Sequence, residues 1–171
     1  MTQQATLILI KPDAVQKGLT GPVLTRLEEA KLSLIGVKVV RVNRKLAEVH
    51  YQALRDKPFF QDLLRHLCGE LHGGAPVLAL VYAGPDAIAK MRQLAGATNP
   101  EEALPTTIRG AFGRNTASGI MENVLHASAD PQEAKREIAL WFRPEELLES
   151  VDAPTSGAVN PALKGGVKAR G

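Results

Sequence analysis

One cysteine, Cys68, stands in the whole chain, so no internal disulfide can form and no cysteine-built zinc site is available. A reducing, cytoplasmic setting is the expectation that follows. Aromatic residues are also scarce, at 4%, which leaves Leu, Val, Ile and Ala to build the core. The early apolar stretch Leu7–Ile10 is closed at once by Lys11, too short for a membrane span or for the apolar part of a signal peptide. The chain has neither the GxxxxGKS/T phosphate loop nor a GxGxxG turn after a strand. A P-loop enzyme and a Rossmann dehydrogenase are therefore disfavoured.

The body lacks an excess of either charge. Lys164, Lys168 and Arg170, all within the last eight residues, account for the entire formal net charge of +3. A globally basic surface for nucleic acid is not expected, and three tail charges would give only weak, salt-sensitive association. What is present is an ordinary globular balance over 171 residues, 44% apolar and 23% charged, enough for one compact domain.

Thr6 to Lys11 reads as a buried strand stopped by Pro12-Asp13. Thr20 is positioned to cap a helix with Pro22 in its first turn and an apolar face through Val23, Leu24, Leu27 and Ala30. A second strand is predicted over Leu34 to Val42, helices over Ala47 to Arg55 and Phe59 to Cys68, and a Gly-rich loop over Gly69 to Pro76. A third strand, Val77 to Tyr82, and a helix, Pro85 to Leu94, follow. Regularity fades from Gly96 to Asn123, and so long a loop in a compact domain points to function. Asp130-Pro131-Gln132-Glu133 then marks a capped helix start with a capping box, running to about Trp141. The pattern supports an α/β or α+β sheet with helices packed on one face. Residues 150–171, rich in Gly, Ala and Pro, read as a flexible basic tail behind a domain spanning 1–149.

Of four histidines, His50, His66 and His72 are best read singly as packing or surface residues. His126 stands apart because it lies four residues before the cap Asp130, near a helix start that favours anions. A neutral imidazole is also a competent nucleophile near pH 7. Phosphate chemistry needs cations around the transferred group. Lys11 at a strand end, Arg92 on a helix and Arg109 beside Thr98 in the long loop are candidates, although each alone reads as solvated surface.

Laid end to end, several segments resemble the nucleoside diphosphate kinase family. They are Leu9-Ile10-Lys11-Pro12-Asp13 through Gly18, His50-Tyr51 leading to Lys57-Pro58-Phe59-Phe60, Gly96-Ala97-Thr98-Asn99-Pro100, Thr107-Ile108-Arg109-Gly110, and Asn123-Val124-Leu125-His126-Ala127-Ser128. The likeness covers roughly residues 5–148, and motifs in the right order are more specific than any single match. It implies an α+β fold: a ferredoxin-like βαββαβ core with an antiparallel four-stranded sheet, additional helices and a long loop before the histidine. It implies ping-pong transfer of a γ-phosphoryl group from a nucleoside triphosphate to a diphosphate through phosphorylated His126. Matched by position, Glu137 resembles the carboxylate that orients the imidazole. Lys11, Tyr51, Arg92, Thr98, Arg109 and Asn123 resemble residues that hold phosphates and sugar. Phe59 resembles the aromatic that stacks on the base, with Ile120 on the opposite side. The same likeness implies Mg²⁺ and a homo-oligomer, hexamer or tetramer.

Departures from the family pattern are also visible. Ala53, Ala111 and Ala129 stand where relatives often carry acids, which leaves the metal mainly to the nucleotide phosphates, with Asp130 able to assist. Insertions lie at 69–75 and 113–121. These changes support a second reading, a catalytically weakened nucleotide-binding or scaffold protein of the same fold.

Overall fold

The computed structural model describes residues 2–151; from 152 onward the expected tail lies outside them. The elements are β1 (Gln3–Ile10), α1 (Pro12–Gln16), α2 (Thr20–Leu27), β2 (Ser33–Val40), α3 (Arg44–His50), α4 (Phe60–Leu67), β3 (Val77–Pro85), α5 (Ala87–Ala95), α6 (Ile108–Phe112), β4 (Arg114–Asn115), β5 (Met121–Glu122), β6 (Leu125–Ala127) and α7 (Pro131–Trp141). Four strands form one sheet in the order β2-β3-β1-β6, each antiparallel to its neighbour. Strands β4 and β5 make a separate small hairpin. The fold is α+β and ferredoxin-like, with added helices, as expected.

The run Leu7–Ile10 is apolar at every position because β1 is central and buried on both faces. Leu7 and Leu9 pack with Leu64, Leu67, Ile138 and Trp141 on one side. Ile8 and Ile10 pack with Val23, Leu27, Met91 and Ile108 on the other. Helices therefore cover both faces of the sheet, α3, α4 and α7 on one and α2 and α5 on the other, which corrects the expectation of one covered face.

Two further corrections concern helix starts. Thr20 is the first residue of α2 and Leu19 occupies the cap, without a side-chain bond. Asp130 caps α7 as expected, its Oδ1 accepting the Glu133 N–H at 2.9 Å. The Glu133 carboxylate instead receives Arg136, at 2.7 Å from Nη2, so the capping box is only half made. The stretch 96–123 also holds more order than its composition suggests, namely α6 and the β4–β5 hairpin.

Candidate active site

Strand β6 is three residues long, and its register sets His126 opposite Leu9 of the central strand. Side chains alternate along a strand, so His126 and Ser128 share a face. Glu137 meets them there from the second turn of α7. His126 Nε2 lies 2.9 and 3.0 Å from the two Glu137 oxygens, and the Ser128 hydroxyl donates to Glu137 Oε2 at 2.6 Å. Ser128 Oγ in turn accepts the Leu7 N–H at 3.1 Å. The alternative bond from this hydroxyl to the Leu7 carbonyl is much longer, at 3.4 Å, so its one proton belongs to Glu137.

That arrangement fixes a tautomer. A carboxylate accepts only, so Nε2 carries the ring proton and Nδ1 keeps its lone pair. Burial alone would push the Glu137 carboxyl up, but the hydrogen bond and charge of His126, the Ser128 bond and Arg136 together hold it below the usual glutamate value. His126 is partly open to solvent, its side chain 21% exposed, while Glu137 is buried.

The cations sit at the ends of the neighbouring elements. Lys11 closes β1 and is buried, its Nζ donating to Asn123 Oδ1 at 2.7 Å. Burial lowers its pKa to about 8, with Asp13 opposing the shift and the Arg109 charge adding to it. Asn123 Nδ2 donates to the Thr98 carbonyl at 3.1 Å, which ties the long loop to the same point. Arg109 enters from α6. Its Nη1 donates to the Gly96 carbonyl at 2.8 Å and its Nη2 to the Leu125 carbonyl at 3.0 Å, while its buried Nε has no partner among the described residues. Burial and the nearby charge of Arg92 bring its pKa down to about 10, so the guanidinium stays charged at neutral pH.

Tyr51 follows α3 and stacks edge-on with His50, ring centres 4.6 Å apart. Burial, then the charge of Glu137, raises its phenol well above the usual value, so it remains a neutral donor. Lys11, Asn123 and the Thr98 carbonyl are thus linked by hydrogen bonds, Arg109 acts on Lys11 by charge with Arg92 near it, and Tyr51 lies within reach of the charges of Glu137 and Arg109. Phe59 stands 48% exposed immediately before α4. Ile120 lies in the turn between β4 and β5, its N–H bonded to Thr116 Oγ1 at 2.9 Å.

His50, expected to be a packing or surface residue, is buried but also touches the His126 ring. Its ring centre is 4.6 Å from that of His126, edge to face, and its Nδ1 accepts the Trp141 indole N–H at 3.2 Å. Burial, then the charges of His126, Lys11 and Arg136, drive its pKa far down and keep it neutral. His50, His126 and Glu137 bring one donor atom each within 4.8 Å of one another, which could suggest a metal ion. His50 Nδ1 is engaged with Trp141, and His126 Nε2 and the Glu137 oxygens with each other and Ser128, while the buried His50 Nε2 has no partner among the described residues. The cationic Lys11 and Arg136 nearby also oppose a positive ion. Ala53, Ala111 and Ala129 are exposed and bring no carboxylate to the site, and Asp130 spends Oδ1 on its helix.

Ser128 received no role from sequence, although its offset of two from a strand histidine was the available signal. Asp13 was missed too. Its Oδ2 accepts the N–H of Val124, a β-branched residue held at φ 72°, and the Val124 carbonyl accepts the Lys11 N–H at 2.8 Å. Such a backbone is strained by about 1–3 kcal/mol and persists only where its surroundings enforce it. That turn delivers Asn123 on one side and β6 with His126 on the other.

Comparison with known proteins agrees with this geometry. A family model described as Nucleoside diphosphate kinase matches residues 4–147. A nucleoside diphosphate kinase of Thermus thermophilus is 46% identical over 145 residues, 85% of this chain and 99% of the relative. One from Pyrococcus horikoshii is 44% identical over 146 residues, 85% of this chain and 89% of that protein. Among solved structures, a halophilic nucleoside diphosphate kinase from Halobacterium salinarum in complex with CDP superposes with a TM-score of 0.78 at 39% identity, covering 87% of this chain and 93% of the other. A transition-state mimic of the Borrelia burgdorferi enzyme with bound vanadate and ADP gives 0.77 at 34% identity, covering 86% and 92%.

Proposed function

Since the chain belongs to the nucleoside diphosphate kinase family and transfers phosphoryl groups between nucleotides, we propose that His126 is the residue that carries the group. The observation that supports this reading is the Glu137 clasp on Nε2, which leaves Nδ1 with its lone pair on a ring partly open to solvent. Nδ1 attacks the γ-phosphorus of a bound triphosphate in line. An N–P bond forms, the P–O bond to the β-phosphate breaks, and its electron pair leaves with the diphosphate. The proton stays on Nε2, donated to Glu137, whose carboxylate stabilises the positive charge that the ring acquires. A second diphosphate enters the same site and takes the group back through its terminal oxygen, so kinetics are ping-pong.

Lys11, Arg109 and Arg92 spread the charge on the equatorial oxygens, the first two as buried cations acting in low dielectric and Arg92 from the exposed side. Tyr51, Thr98 and Asn123 hold phosphate and sugar, and Phe59 offers its exposed face to the base, which any base can use. Mg²⁺ would enter this scheme with the nucleotide, whose phosphates would hold it and whose negative charge it would offset, because Ala53, Ala111 and Ala129 bring it no carboxylate. Asp130 is the one candidate to assist, through Oδ2.

The working unit is the domain at 1–149, assembled as a homo-oligomer, hexamer or tetramer. The exposed Val37 and Val39 on the edge strand β2 support that assembly. No helix among the described residues is long and apolar enough to cross a membrane. A cytoplasmic location rests on the lone Cys68 and on the nucleotide substrates. Incubation with γ-labelled ATP and Mg²⁺ should give an acid-labile, alkali-stable phosphoprotein that passes its label to GDP. Unchanged labelling in His126→Ala would overturn the assignment.

A further inference from the structure

Four buried titratable side chains outside the transfer chemistry form a continuous chain. Asp13 of α1 holds His66 of α4, whose Nε2 lies 3.1 Å from Asp13 Oδ1. His66 Nδ1 lies 3.1 Å from His72 Nε2, the rings meeting edge to face. His72 Nδ1 faces Glu122 Oε1 at 3.8 Å. All four are buried. The neutral tautomers satisfy the chain in one direction: His66 Nε2–H donates to Asp13, and His72 Nε2–H donates to His66 Nδ1.

His72 comes from the inserted segment 69–75, and that segment is built rather than slack. The Gly74 N–H bonds the Gly69 carbonyl at 2.9 Å and the Ala75 N–H bonds the His72 carbonyl at 3.0 Å. Gly69 has φ 77°, and a Cβ there would fall 2.3 Å from the Ala75 carbonyl oxygen, so the loop closes on glycine.

One end of this row holds a piece of backbone to which the other end belongs. Asp13 Oδ2 accepts the strained Val124 N–H at 3.0 Å, and Glu122 lies two residues earlier. Between them sits Asn123, bonded to Lys11 and to the Thr98 carbonyl. Glu122 is anchored from outside by Lys17 and by Arg114 Nε at 2.6 Å. Resting on the reading of His126 as the transferring residue, we propose that Asp13, His66, His72 and Glu122 are positioning residues for phosphoryl transfer: they lock residues 122–124 and thereby set Asn123, Lys11 and the His126 strand.

The lock has a protonation state. The charged or titratable groups facing the pair are Asp13 and Lys17 of α1, Glu122 of β5, with Arg114 of β4 behind it, and Lys11 at the end of β1. Arg65 of α4 points to Asp62 and Glu70 instead, 3.6 Å from each. With His72 neutral, its Nδ1 lone pair faces a carboxylate and no bond forms. A proton on Nδ1 would draw Glu122 inward, away from Lys17 and Arg114, and shift the segment that Asp13 holds. Burial first, then His66, keeps the His72 pKa below the ordinary value, so the neutral lock survives into mild acid.

The test uses full-length protein and MgATP, measuring the rate of phosphoenzyme formation against pH in wild type, His72→Gln, His72→Leu and His126→Ala, with melting curves for each. His72→Leu is expected to form phosphoenzyme about tenfold more slowly, as a small misplacement of site groups does. His72→Gln keeps a donor for His66 Nδ1 but takes up no proton. It should recover most of that rate and move the acid-side fall to lower pH. Wild-type rates in both variants, or an equal loss in both with the acid limb unmoved, overturn the proposal. A wild type that does not label, or a His126→Ala variant that does, removes the reading on which it rests and the proposal with it.

Discussion

Lys11 has two tasks that pull its ionisation in opposite directions. It must be buried to act strongly on a phosphate, yet burial lowers its pKa to about 8. The charged form is therefore lost as pH rises through that value in the free enzyme. The kcat/KM profile should fall on the alkaline side near pH 8, and in Lys11→Arg the fall should disappear below pH 10, whatever the loss in overall rate; an unshifted limb would assign it elsewhere. Asp130 separates in the same way into two roles. Asp130→Ser retains an oxygen for the Glu133 N–H and should melt close to wild type, whereas Asp130→Ala should lose about 1 kcal/mol of stability. If Oδ2 assists Mg²⁺, both variants need more Mg²⁺ for half-maximal rate, and identical titrations in all three proteins would end that role. At this scale the sequence was informative where one residue type has few uses. His126, Lys11 and Arg109 became candidates by charge and position, and the family resemblance joined them into one site. His50, His66 and His72 could not, because a histidine's role depends on what its two nitrogens meet, and those partners lie 91, 53 and 6 residues away.

Elements were legible in proportion to their length. Strand β1, α7 and β3 carry eight or more residues of pattern each, and their centres fall where the sequence places them. Helix α6 has five residues and β4 and β5 two each, shorter than any window in which periodicity can be read. They exist because tertiary contacts fix them, and α6 shows how. Gly96 has φ 83°, and a Cβ there would lie 2.2 Å from Thr107 Oγ1, the residue that caps α6 by accepting the Gly110 N–H. The Gly96 carbonyl also holds Arg109 Nη1. Gly96→Ala thus combines an unfavourable backbone with a clash at the cap of the helix that presents Arg109. A loss of about 1–3 kcal/mol in stability is expected from calorimetry or denaturant melts. Transfer activity should fall further than the melt accounts for, because the guanidinium moves with α6. A variant destabilised but fully active at low temperature would show that Arg109 does not depend on this contact.

At the scale of the molecule, one edge of the sheet remains unexplained by the single chain. Among the described residues strand β2 pairs only with β3, and apart from the Leu148 N–H bonded to the Ile35 carbonyl at 2.8 Å its far side is an open edge. Soluble proteins guard such edges with charge, proline or coverage. Here the outward residues Val37 and Val39 are 55% and 68% exposed, and neither is polar. The polar Lys38 between them points inward to Glu146, at 2.7 Å. An alternating strand should show its polar residues to water, so the reversed pattern is an interface signal that was present in the sequence but could be read only once the inner face was known. A second copy of the chain, as proposed above, would cover both the apolar side chains and the edge. Wild-type protein should then run in analytical ultracentrifugation as a multiple of 18.3 kDa. Val37→Lys combined with Val39→Lys should break it toward single copies, with a lower melting temperature, since each copy loses the surface that buried its edge. The residues proposed for transfer all come from one chain, so part of the activity should survive at low temperature. A wild type that sediments as one copy, or a double variant that keeps the wild-type mass, would mean that these valines are not what holds the copies together.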